Sequence, residues 1–157
     1  MNENFDWRSV FGRANKRLKD QEIIIRFLAL YFDSPSYEEP MKEFLNKFTK
    51  RHRNDGHEFL ESCDTIFNKT ITIVRESIGD RAFRPERAFN VAAFDSIMVG
   101  IAKRLDAGTI IDKDNLKKVY DNLLEDSDFL EKISRSTANE KFVAHRLKRS
   151  IEAFGGI

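Results

Sequence analysis

The chain contains little cysteine, proline or glycine and has no marked excess of charge of either sign. A single cysteine, Cys63, among 157 residues excludes an intramolecular disulfide and any cysteine-rich metal site. A net charge of +1 creates no overall field that would attract nucleic acid or an anionic membrane. No apolar run approaches the roughly 20 residues of a membrane-spanning helix, and the first residues do not resemble a signal peptide. We therefore expect a cytoplasmic protein with no membrane partner.

Sequence motifs of catalysis are also missing. The seven glycines are scattered and form no phosphate-binding loop, and neither a nucleophile elbow nor a His-Glu-x-x-His pattern occurs. One group of potential metal ligands surrounds a turn and comprises His52, Asp55, His57 and Glu58. Its spacing matches no recognised ligand pattern, which favours a solvated polar turn. We expect no catalytic residue, no metal and no cofactor.

What the chain does contain is a large amount of phenylalanine arranged with helical periodicity. Fourteen Phe stand against one Trp and three Tyr, and 41% of the residues are hydrophobic. Phe has no polar group, so these aromatics are expected to fill a core rather than to form a stacking platform. The length fits one globular domain.

The apolar period is close to 3.6 residues along most of the chain, which predicts an all-α fold. We predict a compact bundle of about six helices around a central apolar helix, in a single helical domain over residues 19–157. Residues 1–18 carry apolar side chains without a clean period and are predicted to be an extended arm or docking segment. The predicted helices begin and end near residues 20–32, 40–48, 56–78, 86–105, 112–124 and 137–154. Asp20 is the predicted N-cap of the first helix, and Ser136 or Thr137 that of the last.

Two predicted helices are almost wholly apolar except for one charge in the middle of each. Arg26 interrupts the first, and Asp95, with Asn90 nearby, interrupts the fourth. A lone buried charge is costly unless it is paired. The favoured interpretation is a structural, buried polar group of Arg26, Asp95 and Asn90, in which Arg26 and Asp95 satisfy each other or each meets a polar group from elsewhere. The alternative is a polar pair that lines a functional pocket.

Several clusters of basic residues are candidate contacts to DNA. Two or three such clusters on one face would make several phosphate contacts. Acidic residues are interleaved, however, and runs of charge usually mark a solvated face. The candidate DNA-contacting residues are Arg13, Lys16, Arg17, Arg51, Arg53, Arg146, Lys148 and Arg149.

The segments around the two buried charges resemble a bacterial protein family. Residues 15–30 are similar to an R-x-x-D-x-E-hydrophobic-hydrophobic-hydrophobic-R-F helix of the GmrSD-type modification-dependent restriction proteins and their relatives. Residues 37–46, the Phe89-Asn90-x-x-x-Phe94-Asp95-x-x-Met98 pattern and Lys141-x-x-x-x-Arg146 resemble later helices of that family, in the expected order. The likeness extends along nearly the whole chain.

The ParB/sulfiredoxin-like part that carries the nucleotide-binding and catalytic residues of that family, with its Asp-Gly-Gln-Gln-Arg motif, has no counterpart here, and neither does its His-Asn-His nuclease domain. The resemblance therefore implies a non-catalytic helical module of a restriction or phage-defence protein. Such a module would support a nucleotide-dependent ParB-like domain or protein and would contact DNA. The alternative is a stand-alone helical interaction protein, a homo-oligomer such as a homodimer, without nucleic-acid binding.

Overall fold

A computed structural model describes residues 1–110 and 112–157 of the chain. These residues form eight α-helices and one 3-10 turn, with no β-strand among them, so the predicted all-α class is confirmed. The helices are α1 (Phe5–Phe11), α2 (Lys19–Asp33), α3 (Met41–Arg51), α4 (His57–Ser77), α5 (Val91–Asp106), α6 (Lys113–Glu125), α7 (Ser127–Ser134) and α8 (Glu140–Gly155), and the 3-10 turn spans Ser34–Ser36.

The number of helices exceeds the predicted six because α1 and α7 are short. They contain seven and eight residues, so about two turns each offer too few positions for a periodic pattern to be recognised. Both are held by tertiary packing: Trp7 and Val10 of α1, and Phe129 and Ile133 of α7, are buried.

Helix α5 is the most deeply buried element that the structure describes. All residues from Ala92 to Ala102 are buried, and the helix packs against α2, α4, α7 and α8. Its packing on α8 is tight because Gly100 offers no side chain at the contact with Ser150. A helix that is apolar around most of its surface is stable when other helices cover it and remove that apolar surface from water.

Several predicted helix starts are displaced from those of the structure. The prediction that Asp20 caps α2 is wrong: Leu18 occupies that position, and Asp20 lies in the first turn. Helix α5 begins at Val91 rather than near residue 86, because the Asn90 side chain accepts a hydrogen bond from the Ala93 N–H. Helix α8 is capped by Asn139, not by Ser136 or Thr137.

Residues 1–18, predicted to be an extended arm or docking segment, contain helix α1. The Trp7 ring lies 5.5 Å from the ring of Phe94 and 5.8 Å from that of Phe67. Asp6 forms an ion pair with Arg75 of α4 at 3.0 Å. Helix α1 is thus packed on α4 and contributes to the same core as the other helices.

Candidate functional site

A buried cluster of two arginines and one aspartate joins three helices. Arg26 of α2 donates hydrogen bonds from Nη2 to Asp95 Oδ2 at 2.6 Å and from Nε to Oδ1 at 3.3 Å. Arg146 of α8 donates from Nη2 to the same Oδ2 at 3.4 Å. Asp95 and Arg146 are inaccessible to solvent, whereas 14% of the Arg26 side chain is exposed.

The remaining groups around the cluster belong to the backbone and to one phenol. Nη1 of Arg146 donates to the carbonyl oxygen of Thr137 at 2.9 Å, and the buried Nε of Arg146 has no hydrogen-bond partner in residues 1–110 and 112–157. The Tyr37 hydroxyl donates to the Ala138 carbonyl. Asn90 does not join the cluster, because it caps α5 and donates to the Ile133 carbonyl at 3.1 Å.

The two arginines experience opposite electrostatic effects. Burial works against the charge of Arg26, but the carboxylate of Asp95 outweighs it and raises the pKa of Arg26 above its ordinary value. Burial dominates at Arg146 and, together with the nearby Arg26 charge, lowers the pKa of that guanidinium despite the attraction of Asp95. The Asp95 carboxylate therefore interacts more strongly with Arg26 than with Arg146. Because the cluster has two cations and one anion, it keeps a net positive charge.

The geometry of this cluster suits a structural role. Both carboxylate oxygens of Asp95 already accept bonds from guanidinium groups and have no access to solvent, so no oxygen is free to take a substrate proton or to bind a metal. A buried carboxylate shared by two arginines fixes the relative positions of the helices that carry them. Arg146 was missed as a partner because its own helix has ordinary amphipathic spacing.

The eight candidate DNA-contacting residues fall into three groups. The prediction that Arg146 contacts DNA is corrected by the structure, because its side chain is fully buried and has no surface that DNA could contact. A second group is exposed but engaged by carboxylates on this chain, and it comprises Arg51 with Asp33, Lys148 with Glu152, and Arg149 with Asp126. The third group is exposed and has no carboxylate within ion-pair distance among the described residues, and it comprises Arg13, Lys16, Arg17 and Arg53.

Three members of the third group lie together between α1 and α2. Residues 13–19, here called the basic segment, contain Arg13, Lys16, Arg17 and Lys19, all of them exposed. Gly12, with a φ of 110°, precedes the segment, and Leu18, with a φ of 58°, lies within it just before Lys19. Gly12 is the C-cap of α1 and Leu18 the N-cap of α2, so the chain leaves helical geometry between the two helices.

An ion pair between partly buried Arg8 and buried Asp20 joins α1 and α2 on the two sides of the basic segment. Arg8 of α1 donates to the carboxylate of Asp20, which is 1% exposed, at 2.9 Å. Burial alone would raise the pKa of Asp20, but the hydrogen bond from Arg8 and the other polar groups nearby outweigh it and hold the pKa below its usual range. Sequence reasoning gave Asp20 a capping role and missed this partner.

The other chemically interesting groups are arranged as ordinary surface contacts. His52 lies 2.6 Å from Asp55 and stacks on Phe59, while His57 lies 3.7 Å from Glu61. Within the described ranges, no three His, Cys, Asp or Glu side chains converge closely enough to hold a metal ion. Nor does any helix in those ranges combine the length and the apolar character that crossing a membrane requires.

Comparisons of the chain with protein-family models, with curated proteins and with solved structures found no match.

Proposed function

We propose that this chain is a non-catalytic helical module that contacts the phosphate backbone of DNA through the basic segment. The observation that carries the proposal is the set of four exposed cations at Arg13, Lys16, Arg17 and Lys19, which have no carboxylate partner among the described residues. Cations already neutralised within a protein gain little from a phosphate, whereas free ones release the counterions of DNA when they bind.

The proposal places the chain in a bacterial modification-dependent restriction or phage-defence system, beside a nucleotide-dependent ParB-like partner. This part is supported by the resemblance of residues 15–30 and of the Phe89–Met98 pattern to the GmrSD-type family. Arg17, Asp20 and Arg26 of the first motif occupy distinct places in the structure. Arg17 is exposed in the basic segment, while Asp20 and Arg26 form the ion pairs that hold α2 in position.

The role is backbone contact rather than base recognition. Three of the four cations lie in the connection between α1 and α2, and Lys19 is the first residue of α2, so they do not line a helix that enters a groove. Phosphate contacts fix position without reading sequence. If each cation contacts one phosphate, the logarithm of the binding constant should fall with the logarithm of salt concentration with a slope of about −3 to −4.

The test is a titration of fluorescent duplex DNA, plain and modified, with the protein at two or more salt concentrations. The triple variant Arg13→Ala, Lys16→Ala, Arg17→Ala should weaken binding to both duplexes and reduce the salt slope by about 2 to 3. The matched control removes the same charge elsewhere on the surface, at Lys118, Arg135 and Lys141, and should bind as the unaltered protein does.

Equal weakening by the two triple variants would overturn the proposal, since it would show that only net charge matters. Absence of salt-dependent binding to either duplex would also overturn it. A stable dimer that is indifferent to DNA, measured by size-exclusion chromatography with light scattering, would favour the homodimeric interaction protein instead.

A further inference from the structure

We propose that the groove between α2 and α3 is a docking site for an acidic amphipathic peptide segment of a partner protein. This goes beyond DNA contact, because it assigns a different class of partner to a groove that adjoins the basic segment and shares Arg17 and Leu18 with it. Three observations carry the proposal: an exposed leucine held in a left-handed conformation, an apolar groove beside it, and an excess of positive charge around that groove.

Leu18 is unfavourably placed for a residue that meets only water. Its φ of 58° and ψ of 21° lie in the left-handed region, which residues with a Cβ adopt at an energetic cost. Its side chain is 57% exposed at the N-terminal end of α2. A large apolar side chain that is both strained and solvated at the mouth of a groove points to a contact with another molecule.

The groove beside Leu18 has apolar walls. It has a volume of about 560 Å³, and its lining includes Ile25 of α2 and Met41 and Leu45 of α3. Met41 and Leu45 are buried to 7% and 8% exposure, so they form a firm floor, whereas Ile25 is only partly buried. Apolar side chains spaced on one face of a helical peptide fit such a floor.

The charges around the groove favour an anionic occupant. Its lining contains three cations, Arg17, Arg26 and Lys42, against one carboxylate, Glu22. Arg26 is also the exposed edge of the buried cluster in which two guanidinium groups share Asp95. The cluster carries a net positive charge, and its solvent-exposed part, the edge of the Arg26 side chain, lies at this groove, where it would attract a carboxylate of a partner.

The experiment selects binders from a display library of random peptides of about 16 residues, long enough for about four helical turns. The immobilised target is the full chain, and the protein carrying Leu18→Ser and Lys42→Glu serves for counter-selection. Enriched peptides should carry an excess of Asp and Glu, with apolar residues spaced i, i+3, i+4 and i+7. A fluorescent consensus peptide is then titrated with each protein variant.

We expect Leu18→Ser and Lys42→Glu each to weaken peptide binding by at least about fivefold, the usual effect of losing an interface anchor. The matched controls are Leu60→Ser, because Leu60 is also 57% exposed, and Lys118→Glu on α6. Both should leave the affinity unchanged. Ile25→Ser, which alters the groove outside the basic segment, should also weaken peptide binding but leave DNA binding unchanged, so failure of this proposal is distinguishable from failure of the proposed function.

Enrichment of neutral or basic peptides, or no enrichment, would overturn the proposal. Equal weakening by the control variants would do the same. If DNA displaced the peptide and Ile25→Ser weakened DNA binding as strongly as peptide binding, the groove would belong to nucleic acid. A dimer that Leu18→Ser dissociates would instead assign the groove to a second copy of the chain.

Discussion

Gly100 of α5 lies directly against Ser150 of α8. A Cβ atom at Gly100 would stand 2.6 Å from the Ser150 Oγ and 2.8 Å from both its carbonyl carbon and its carbonyl oxygen. Since two of these three atoms are backbone, a side-chain rotation cannot relieve the contact, and the helices would have to separate. The same two helices carry Asp95 and Arg146, so their close approach also sets the geometry of the buried ion cluster.

Gly100→Ala should therefore destabilise the protein, although alanine favours a helix over glycine by about 1 kcal/mol. The loss expected from overpacking is about 1–3 kcal/mol, measured by urea denaturation. Gly155→Ala is the control, because a Cβ at this helical glycine meets nothing within 4 Å. It should be neutral or slightly stabilising. A Gly100→Ala protein as stable as the Gly155→Ala protein would contradict the tight packing of α5 on α8.

Substitutions in the buried cluster should be strongly non-additive. Asp95→Asn should cost about 3–5 kcal/mol, because it leaves two guanidinium groups without their shared carboxylate. Arg26→Met should cost less, since Arg146 remains beside Asp95. The double variant should recover part of the summed loss, with a coupling of about 1 kcal/mol or more in denaturant titrations.

The control for this cycle is Arg51→Met, which removes an ion pair whose arginine side chain is 55% exposed. It should change the free energy of unfolding by less than about 1 kcal/mol. Additive losses for Arg26→Met and Asp95→Asn would show that the two side chains do not interact.

The Arg8–Asp20 ion pair should make the free energy of unfolding depend on pH in the acidic range. Folding lowers the pKa of Asp20. The contribution of Asp20 to stability is therefore complete above its pKa in the unfolded chain, about 3.9, and disappears as pH falls through its lower pKa in the folded protein. The stability difference between the unaltered protein and Asp20→Asn should therefore be largest above about pH 5 and shrink toward about pH 3. Denaturant titrations across this range measure it, and a difference independent of pH would be the contrary result.

Helix α1 should unfold together with the rest of the protein. Trp7 is the only tryptophan and is fully buried, so its fluorescence reports on α1 while circular dichroism reports on all helices. The two denaturation curves should coincide, and Trp7→Ala should cost about 3–5 kcal/mol. Phe5→Ala is the control, because Phe5 is 71% exposed, and it should cost less than about 1 kcal/mol. An earlier transition at Trp7 would indicate a separable arm.

Helix boundaries show how far local sequence reasoning reaches. The end of α2 at Asp33 and the start of α6 after Asp112 follow from local signals, a Ser-Pro-Ser turn and an acidic cap. The start of α8 does not, because Ser136, Thr137 and Asn139 are all acceptable caps and only packing selects among them. Short helices such as α1 depend on tertiary contacts, which a local pattern does not contain.

Local sequence reasoning likewise identifies only part of the candidate site. The isolation of Arg26 and Asp95 within apolar segments indicates that both charges need partners, and the structure places them 2.6 Å apart. Nothing local marks Arg146 as different from Arg149, yet the first is buried against Asp95 and the second is exposed beside Asp126. The difference arises because Arg146, unlike Arg149, lies on the side of α8 that faces α5.

The amino-acid sequence by itself determined the helical class and the burial of most apolar positions, because a 3.6-residue period acts within single turns of the chain. Only the tertiary structure decided which charges meet and which remain free for a partner. Arg146 and Asp95 are 51 residues apart, and Arg8 and Asp20 lie on different helices. Contacts of this kind depend on how whole helices pack, since that packing determines both distance and access to water.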